Sequence, residues 1–586
     1  MQSFVAGIGM AILVAAAAVP AQAAPAKASP KVSADARFEA IYTKEWAWRT
    51  AQFGRQDGKG VDDYLPKMDQ ATQDMRQHYW EDTLKQVEAI PHAQLSQKQQ
   101  VNYDVYVPQL KVLIEDQKFH TYEMPANSDS QFWSGFGDDD SGFKTVQDYK
   151  NWIAQMRDIP RYFDEEVALM KAGLARGFTP PQVTLVGRDK SISNVIAAKP
   201  EDTSFYKPFK TMAGVPADQQ AALRAQAASV IRDTVQPAYV GLLKFWNEQY
   251  VPGARKTLAA DDLPNGKAFY RSQIIEYTTL DMDPAEIHRI GEQEVATLHQ
   301  QMLDAMKETG FKGDFDAFQK FLRSDPQFYA KTPQELLDKA AWIAKTFDGK
   351  AATYFGMMPR ARFAIVPVPA DIAPFYTSGR GGPGVYLLNT YDLPHRPLFN
   401  LTALTLHESA PGHAWQIPLA AEDKTQPDFR RYTYISAYGE GWALYCEWLG
   451  NEMGMYETPY DRYGMLGYQI WRAARLVVDT GIHSQGWTRQ QAIDYMVKYT
   501  SLPEHEVETE VDRYITWPGQ ALSYYMGEME IKKLRAKAEA ALGPKFNIRA
   551  FHDTVLQLGS VPLPVLDARI DKFIADGGKG PYPDLE

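Results

Sequence analysis

The stretch LTLHESAPGHAWQ, residues 404–416, sets a geometric condition on any fold this chain adopts. Its two histidines, His407 and His413, are six positions apart, so on an uninterrupted helix of 3.6 residues per turn they would point roughly 120° apart. Between them stand Pro411 and Gly412. Proline cannot continue the backbone hydrogen-bond ladder, and glycine turns without steric penalty. A helix carrying His407 and Glu408 is therefore expected to end or bulge at Pro411, with the chain beyond swinging His413 back toward His407. HESAPGH then reads as an HExGH motif with two residues inserted. Two imidazoles brought beside a carboxylate make a metal-ligand set, so the break in the helix and the site are one expectation.

A second acidic motif, YGEGWALYCE at residues 438–447, follows downstream. Glu440 opens the helix it predicts, where a carboxylate suits the positive end, and is the expected third ligand. Two histidines and one glutamate leave an open coordination position, which suits catalysis rather than a closed structural site. Glu408 stays free of the ligand set as the expected general base, taking a proton from water and passing it to the leaving group. Glu447, two turns along the same face, either orients a ligand histidine or is a plain salt-bridged glutamate. One zinc per chain is the preference of this chemistry, although the same residues suit Mn, Fe or Co.

In QIWRAARLVVDTGIHSQG, Arg475, Asp479 and His483 recur every four residues on an otherwise apolar helix. Such a stripe is either a structural Arg475–Asp479 ion pair or the lining of a cleft. In the second case His483 reaches the substrate or transition state, while Arg475 orders the site or binds a carboxylate. The segments 361–369 and 384–390 read as strands joined through the glycine-rich SGRGGPG. Their edge either pairs with an extended substrate, main chain to main chain, or forms an ordinary small hairpin. Asn389, at the end of the second, is a candidate for ordering the site or touching the substrate.

HESAPGH, EGWALYCE, DTGIHSQGW and RYITWPGQALSYYMG together resemble the bacterial family called domain of unknown function 885, from about Arg37 to the C terminus and most strongly after Gly379. In its HE…GH and downstream Glu pattern that family is similar to the α-helical zinc peptidases around angiotensin-converting enzyme, neurolysin and carboxypeptidase Taq. The longer histidine spacing departs from their HExxH. The resemblance implies a mainly α, two-lobed metallopeptidase-like fold, with a deep cleft that favours short or unfolded peptides and a small β-sheet beside the metal helix. It also implies that Tyr524 stands opposite the metal as a phenol donor to a developing oxyanion. Tyr525 could take its place, aromatic core is the competing role, and Arg513 and Tyr514 are weaker candidates.

At 586 residues the chain exceeds the size at which single cores stop growing. With 45% hydrophobic and 12% aromatic residues, it has the means to build a substantial core. Recurrent helix starts (Asp283-Pro284, Thr332-Pro333, Thr488 with Gln491) point the same way as the resemblance, to an α-rich fold. The net charge of −11 argues against a general nucleic-acid or anionic-membrane surface. Residues 1–23 read as a signal peptide, an apolar run from Val5 to Val19 ending in an A-x-A cleavage pattern. Residues 24–36 read as a flexible segment and 37–586 as the catalytic region, with a soft lobe boundary near 360–400. A periplasmic or secreted location is expected, without stable membrane insertion after cleavage. The sole cysteine, Cys446, excludes an intrachain disulfide and reads as a small buried residue. Asp138-Asp139-Asp140 reads as a solvated acidic loop.

The leading expectation is an exported zinc hydrolase cleaving amide bonds in peptides. The alternatives are a zinc amidase or esterase acting on a non-peptide metabolite or cell-wall fragment, and a non-catalytic periplasmic binding protein.

Overall fold

A computed structural model of the protein describes residues 32–54, 60–127, 130–137, 142–370 and 373–582. The apolar N-terminal run with its cleavage pattern and the acidic Asp138-Asp139-Asp140 stretch lie outside the described residues. Helix makes up 71% and strand 3% of the structure, so it is mainly α with one small sheet. No helix among the described residues is long and apolar enough to cross a membrane.

The helices that concern the site are introduced in chain order. Helix α1 (Ala34–Phe53) is capped by the Ser33 hydroxyl, which accepts from the Ala36 N–H. The segment expected to be flexible through residue 36 is thus helical from Ala34, because Ser33 supplies the acceptor that the first turn needs. α2 (Gln70–Glu88), α3 (Gln97–Phe119) and α4 (Val146–Arg176) follow. Next come α5 (Gly266–Thr278), α6 (Pro284–Glu308) and α7 (Pro333–Tyr354). The side chains of Asp283 and Thr332 cap α6 and α7 as the sequence predicts, each with proline in the first turn. After the sheet come α8 (Leu398–Glu408), α9 (His413–Glu422), α10 (Ser436–Glu452), α11 (Pro459–Ser484), α12 (Glu504–Thr516) and α13 (Ser523–Leu542).

Hydrophobic side chains gather in three clusters. One lies wholly between Leu65 and Ala254 and includes Trp133, Trp152 and Trp246. A second joins Phe269 and Met302 to Leu476, Tyr514 and Tyr525. The third joins Phe38, Trp80 and Tyr106 to Trp442 and Phe551. The last two each draw on residues from both sides of positions 360–400, where the sequence placed the soft lobe boundary. Close helix packing explains this: a Cβ on Gly291 of α6 would lie 2.8 Å from Leu476 and Val477 of α11.

The sheet has β1 (Ala364–Pro367), β2 (Gly379–Gly382) and β3 (Val385–Leu388) in the order β1-β3-β2. β1 runs parallel to β3, and β2 antiparallel to it, with Gly381 opposite Tyr386. The glycine-rich segment expected only to join two strands is therefore itself an edge strand. Its hairpin with β3 turns at Gly384, whose φ of +80° suits glycine.

Candidate metal centre

α8 ends at Glu408, and a short connection containing a cis Ala410–Pro411 peptide leads to Gly412, which precedes α9. The Gly412 N–H donates to the Leu406 carbonyl at 3.0 Å. A Cβ at Gly412 would lie 1.8 Å from the His407 carbonyl oxygen, so this fold-back admits only glycine. The result is the convergence expected from the HESAPGH spacing. The two imidazole rings stand 4.9 Å apart at 87°. His407 Nε2 is 3.6 Å, and His413 Nε2 3.3 Å, from the same oxygen of Glu440, Oε2. Ligand atoms of His407, Glu408 and His413 also lie within 4.8 Å of one another.

Behind the pair, His407 Nδ1 sits 2.7 Å from Oε1 of the fully buried Glu447. That bond leaves Nε2 as the nitrogen facing Glu440. Burial opposes a charge on His407, but the contacts with Glu440 and Glu447 outweigh it and push its pKa up to about 10. Burial likewise works against the Glu440 carboxylate, yet His413 and His407 hold it well below the usual carboxylate range. This pocket favours a cation. The donor set fits zinc: ligands about 2.0–2.1 Å from a tetrahedral ion stand about 3.3 Å apart, close to the separations found here.

Glu408 is half-buried, and its Oε2 accepts the Gly381 N–H of β2 at 2.6 Å. A Cβ at Gly381 would lie 1.7 Å from the Glu408 carbonyl oxygen, so the edge strand lies directly against the end of α8.

Tyr434 is a site residue that sequence reasoning missed. Its hydroxyl donates to Glu440 Oε1 at 2.9 Å, and its ring stands 6.4 Å from that of His413. It is 44% exposed beside otherwise covered ligands. Gly439 makes room for it, since a Cβ there would come within 2.3 Å of the ring. No spacing rule points to Tyr434, because it reaches Glu440 from the connection before α10. Only the neighbouring tyrosines of RYTYIS hinted at an aromatic wall.

Tyr524 is 9% exposed, with its hydroxyl 3.3 Å from Arg513 Nη2 and 3.5 Å from Gln520 Nε2. Burial around its hydroxyl is the main cause that pushes the Tyr434 phenol well up, followed by the charge of Glu440. Tyr525 instead donates to Glu294 at 2.8 Å.

The remaining expectations need correction. His483 is wholly buried, its Nδ1 accepting from the Ala260 N–H and its Nε2 facing the Tyr514 carbonyl. Burial pushes it down to about 3, so it is a neutral cross-link between segments and not a substrate-facing group. Asp479 accepts from the Tyr270 hydroxyl and the Gly519 N–H, and burial pushes it up to about 7. Arg475 does not pair with Asp479 but bonds Glu510 Oε2 at 2.9 Å and the Tyr514 hydroxyl at 2.8 Å, both from α12. Helix spacing allowed the Arg475–Asp479 pair, but packing offered each side chain a different partner. Asn389 is fully buried and holds its own chain, donating to the carbonyls of Ala373, Tyr376 and Thr377 and accepting from Tyr391. Cys446 is buried, as expected, and its thiol is pushed well up by burial. A broad groove along α3, past Glu276 and Arg569, includes none of the metal-centre side chains.

Residues 49–570 match the family described as bacterial protein of unknown function, DUF885. A crystal structure described as "the putative lipoprotein from Colwellia psychrerythraea" is similar, with a TM-score of 0.85 and 26% identity over 93% of this chain and 100% of that one. Another, described as "a putative lipoprotein of unknown function from Shewanella oneidensis", shares the fold at a TM-score of 0.67 and 16% identity, over 92% of this chain and 99% of that one. None of the curated proteins matches the chain.

Proposed function

Since the chain belongs to the bacterial family DUF885, whose description assigns no activity, we propose its function from the site: a zinc-dependent hydrolase that cleaves amide bonds in peptides. The observation that carries this reading is the convergence of His407 Nε2 and His413 Nε2 on one oxygen of Glu440, with a carboxylate oxygen of Glu408 within 4.8 Å of the histidine nitrogens. His407, His413 and Glu440 would hold the ion, and Glu447 orients His407 from behind. Zinc bound there supplies Lewis acidity toward a water and a substrate carbonyl.

The chain's own residues do the rest. Glu408 takes a proton from the attacking water and returns it to the departing nitrogen. The Gly381 N–H bonded to its carboxylate keeps that group aimed at the mouth of the site. Tyr434, with Tyr524 beyond it, offers a phenol hydroxyl to the oxygen that gains charge. β2 is an edge strand, so an extended peptide laid along it would pass Glu408 with its main chain hydrogen-bonded. A cleft between helical lobes, of the kind found in α-helical zinc peptidases, belongs to this proposal. So does export to the periplasm or beyond, supported by the N-terminal apolar run and by likeness to chains named as lipoproteins.

Elemental mass spectrometry of the purified protein, together with a peptide-library digest, tests the reading. About one zinc per chain is expected in the wild type and in Glu408→Gln, and none in His413→Ala. Hydrolysis should fall on the order of 10³-fold in Glu408→Gln. A protein that takes up no metal, or a Glu408→Gln variant as active as wild type, would overturn the proposal.

A further inference from the structure

α11 buries two arginines one turn apart, and the groups around them leave part of their hydrogen-bonding capacity unmet. Arg475 is 2% exposed; its Nε and Nη2 bond Tyr514 and Glu510, while Nη1 is buried without an acceptor. Arg472 is 6% exposed, and both its Nε and Nη1 are buried without acceptors. Its ion-pair contact, Nη2 to Glu447 Oε1, is 3.9 Å long, too far for a hydrogen bond. Buried guanidinium N–H groups are costly to leave unmade, and such donors call for an acceptor.

The setting adds shape and charge. Both guanidinium groups lie over the Trp471 ring, at 4.2 Å for Arg472 and 4.5 Å for Arg475. Arg472 also covers Tyr468, and Arg475 covers Tyr524 at 4.5 Å. Arg513 adds a third cation whose Nη2 lies 3.3 Å from the Tyr524 hydroxyl. Against these three stands Glu510, bonded to Arg475 and 3.6 Å from Arg513. Glu447 is already engaged by His407, and burial, then Glu510, raise the pKa of Glu506, an effect that the charges of Arg396 and Arg472 oppose. Three guanidinium groups thus gather around Trp471 and Tyr524. This cluster adjoins the metal centre through Glu447, which lies 3.9 Å from Arg472 and 2.7 Å from His407.

We propose that Arg472 and Arg475, stacked on Trp471, form a carboxylate-binding subsite that recognises an anionic group of the peptide substrate. A planar carboxylate accepts from guanidinium N–H groups in pairs, which a lone ammonium cannot match. The identity of the ligand rests on the peptide-hydrolase reading; its negative charge rests on the arginines alone. The chemistry is shared by a substrate carboxylate and a free small anion, so the test separates the two.

Calorimetric titration with acetyl-alanyl-alanine and with its C-terminal amide, on the wild type and on His413→Ala, reads the subsite without need of metal or turnover. The acid is expected to bind on the order of tenfold more tightly than the amide in both proteins. Arg472→Gln and Arg475→Lys should each remove that preference and leave amide binding unchanged. Equal binding of acid and amide by the wild type overturns the proposal. So does a preference that survives in both variants while they remain folded by circular dichroism. If sodium chloride at the same ionic strength, in place of sodium fluoride, abolishes the acid preference, the arginines hold a free anion and the substrate assignment falls. An intact acid preference in a protein that neither binds zinc nor cleaves peptides would sink the hydrolase reading and leave the anion subsite standing.

Discussion

His407 and Tyr434 show how differently two side chains of one centre are specified. His407 lies beside Glu408 in a motif whose spacing and Pro-Gly break already imply a fold-back, and its ring meets Glu440 and Glu447 from the next ligand helix. Tyr434 reaches Glu440 only because Gly439 leaves room above the start of α10. Tyr434 bonds Glu440 directly, whereas the Tyr524 hydroxyl is shared with Arg513. Tyr434→Phe should keep its zinc but lose on the order of 10²-fold in kcat, with a smaller loss for Tyr524→Phe. Steady-state kinetics on any peptide cleaved by the wild type decide this, and the reverse ranking would return the leading role to Tyr524.

Among the elements, the helix starts at Asp283, Thr332 and Thr488 were legible because a cap is a local hydrogen bond between residues two or three apart. β2 was not legible. GRGG has no apolar alternation, and it is a strand because β3 offers it a partner, while the end of α8 leaves no space for a side chain at Gly381. The ligand helix α10 is placed by a similar constraint: a Cβ on Gly441 would lie 2.4 Å from the Gly527 backbone of α13. Gly441→Ala must push these helices apart, at a cost of roughly 1–3 kcal/mol. The expected readings are a lower Tm and weaker zinc retention, because Glu440 and Glu447 ride on the same helix. An unchanged Tm would show that the crossing relaxes freely.

Over the whole molecule, burial sets the charge state of groups that the sequence presents as ordinary polar residues. His483 and His552 are pushed down to about 3, while Asp479 and Glu528 are pushed up to about 7 and about 8, in each case chiefly by burial. For Glu528 the folded pKa lies above the unfolded value. Its contribution to stability is therefore fully present below about 4.5 and lost as pH rises through about 8. Glu528→Gln has no such loss, so its stability relative to wild type should climb between those limits and level off above them. Thermal denaturation across that range tests this, and a constant difference would mean that Glu528 is ionised throughout.

Read from its residues alone, the chain already carried the helical class, the helix starts, the break at Pro411-Gly412 and the convergence of His407 and His413, since each depends on neighbours a few positions away or on one short motif. His483, Asp479 and Asn389 were read as members of one site because helical spacing or nearness in sequence allowed it. They went instead to Tyr514, Gly519 and the residue 373–391 loop. A buried polar group bonds whichever partner the packing of distant helices brings within about 3 Å, and no pattern along one helix encodes which partner that will be.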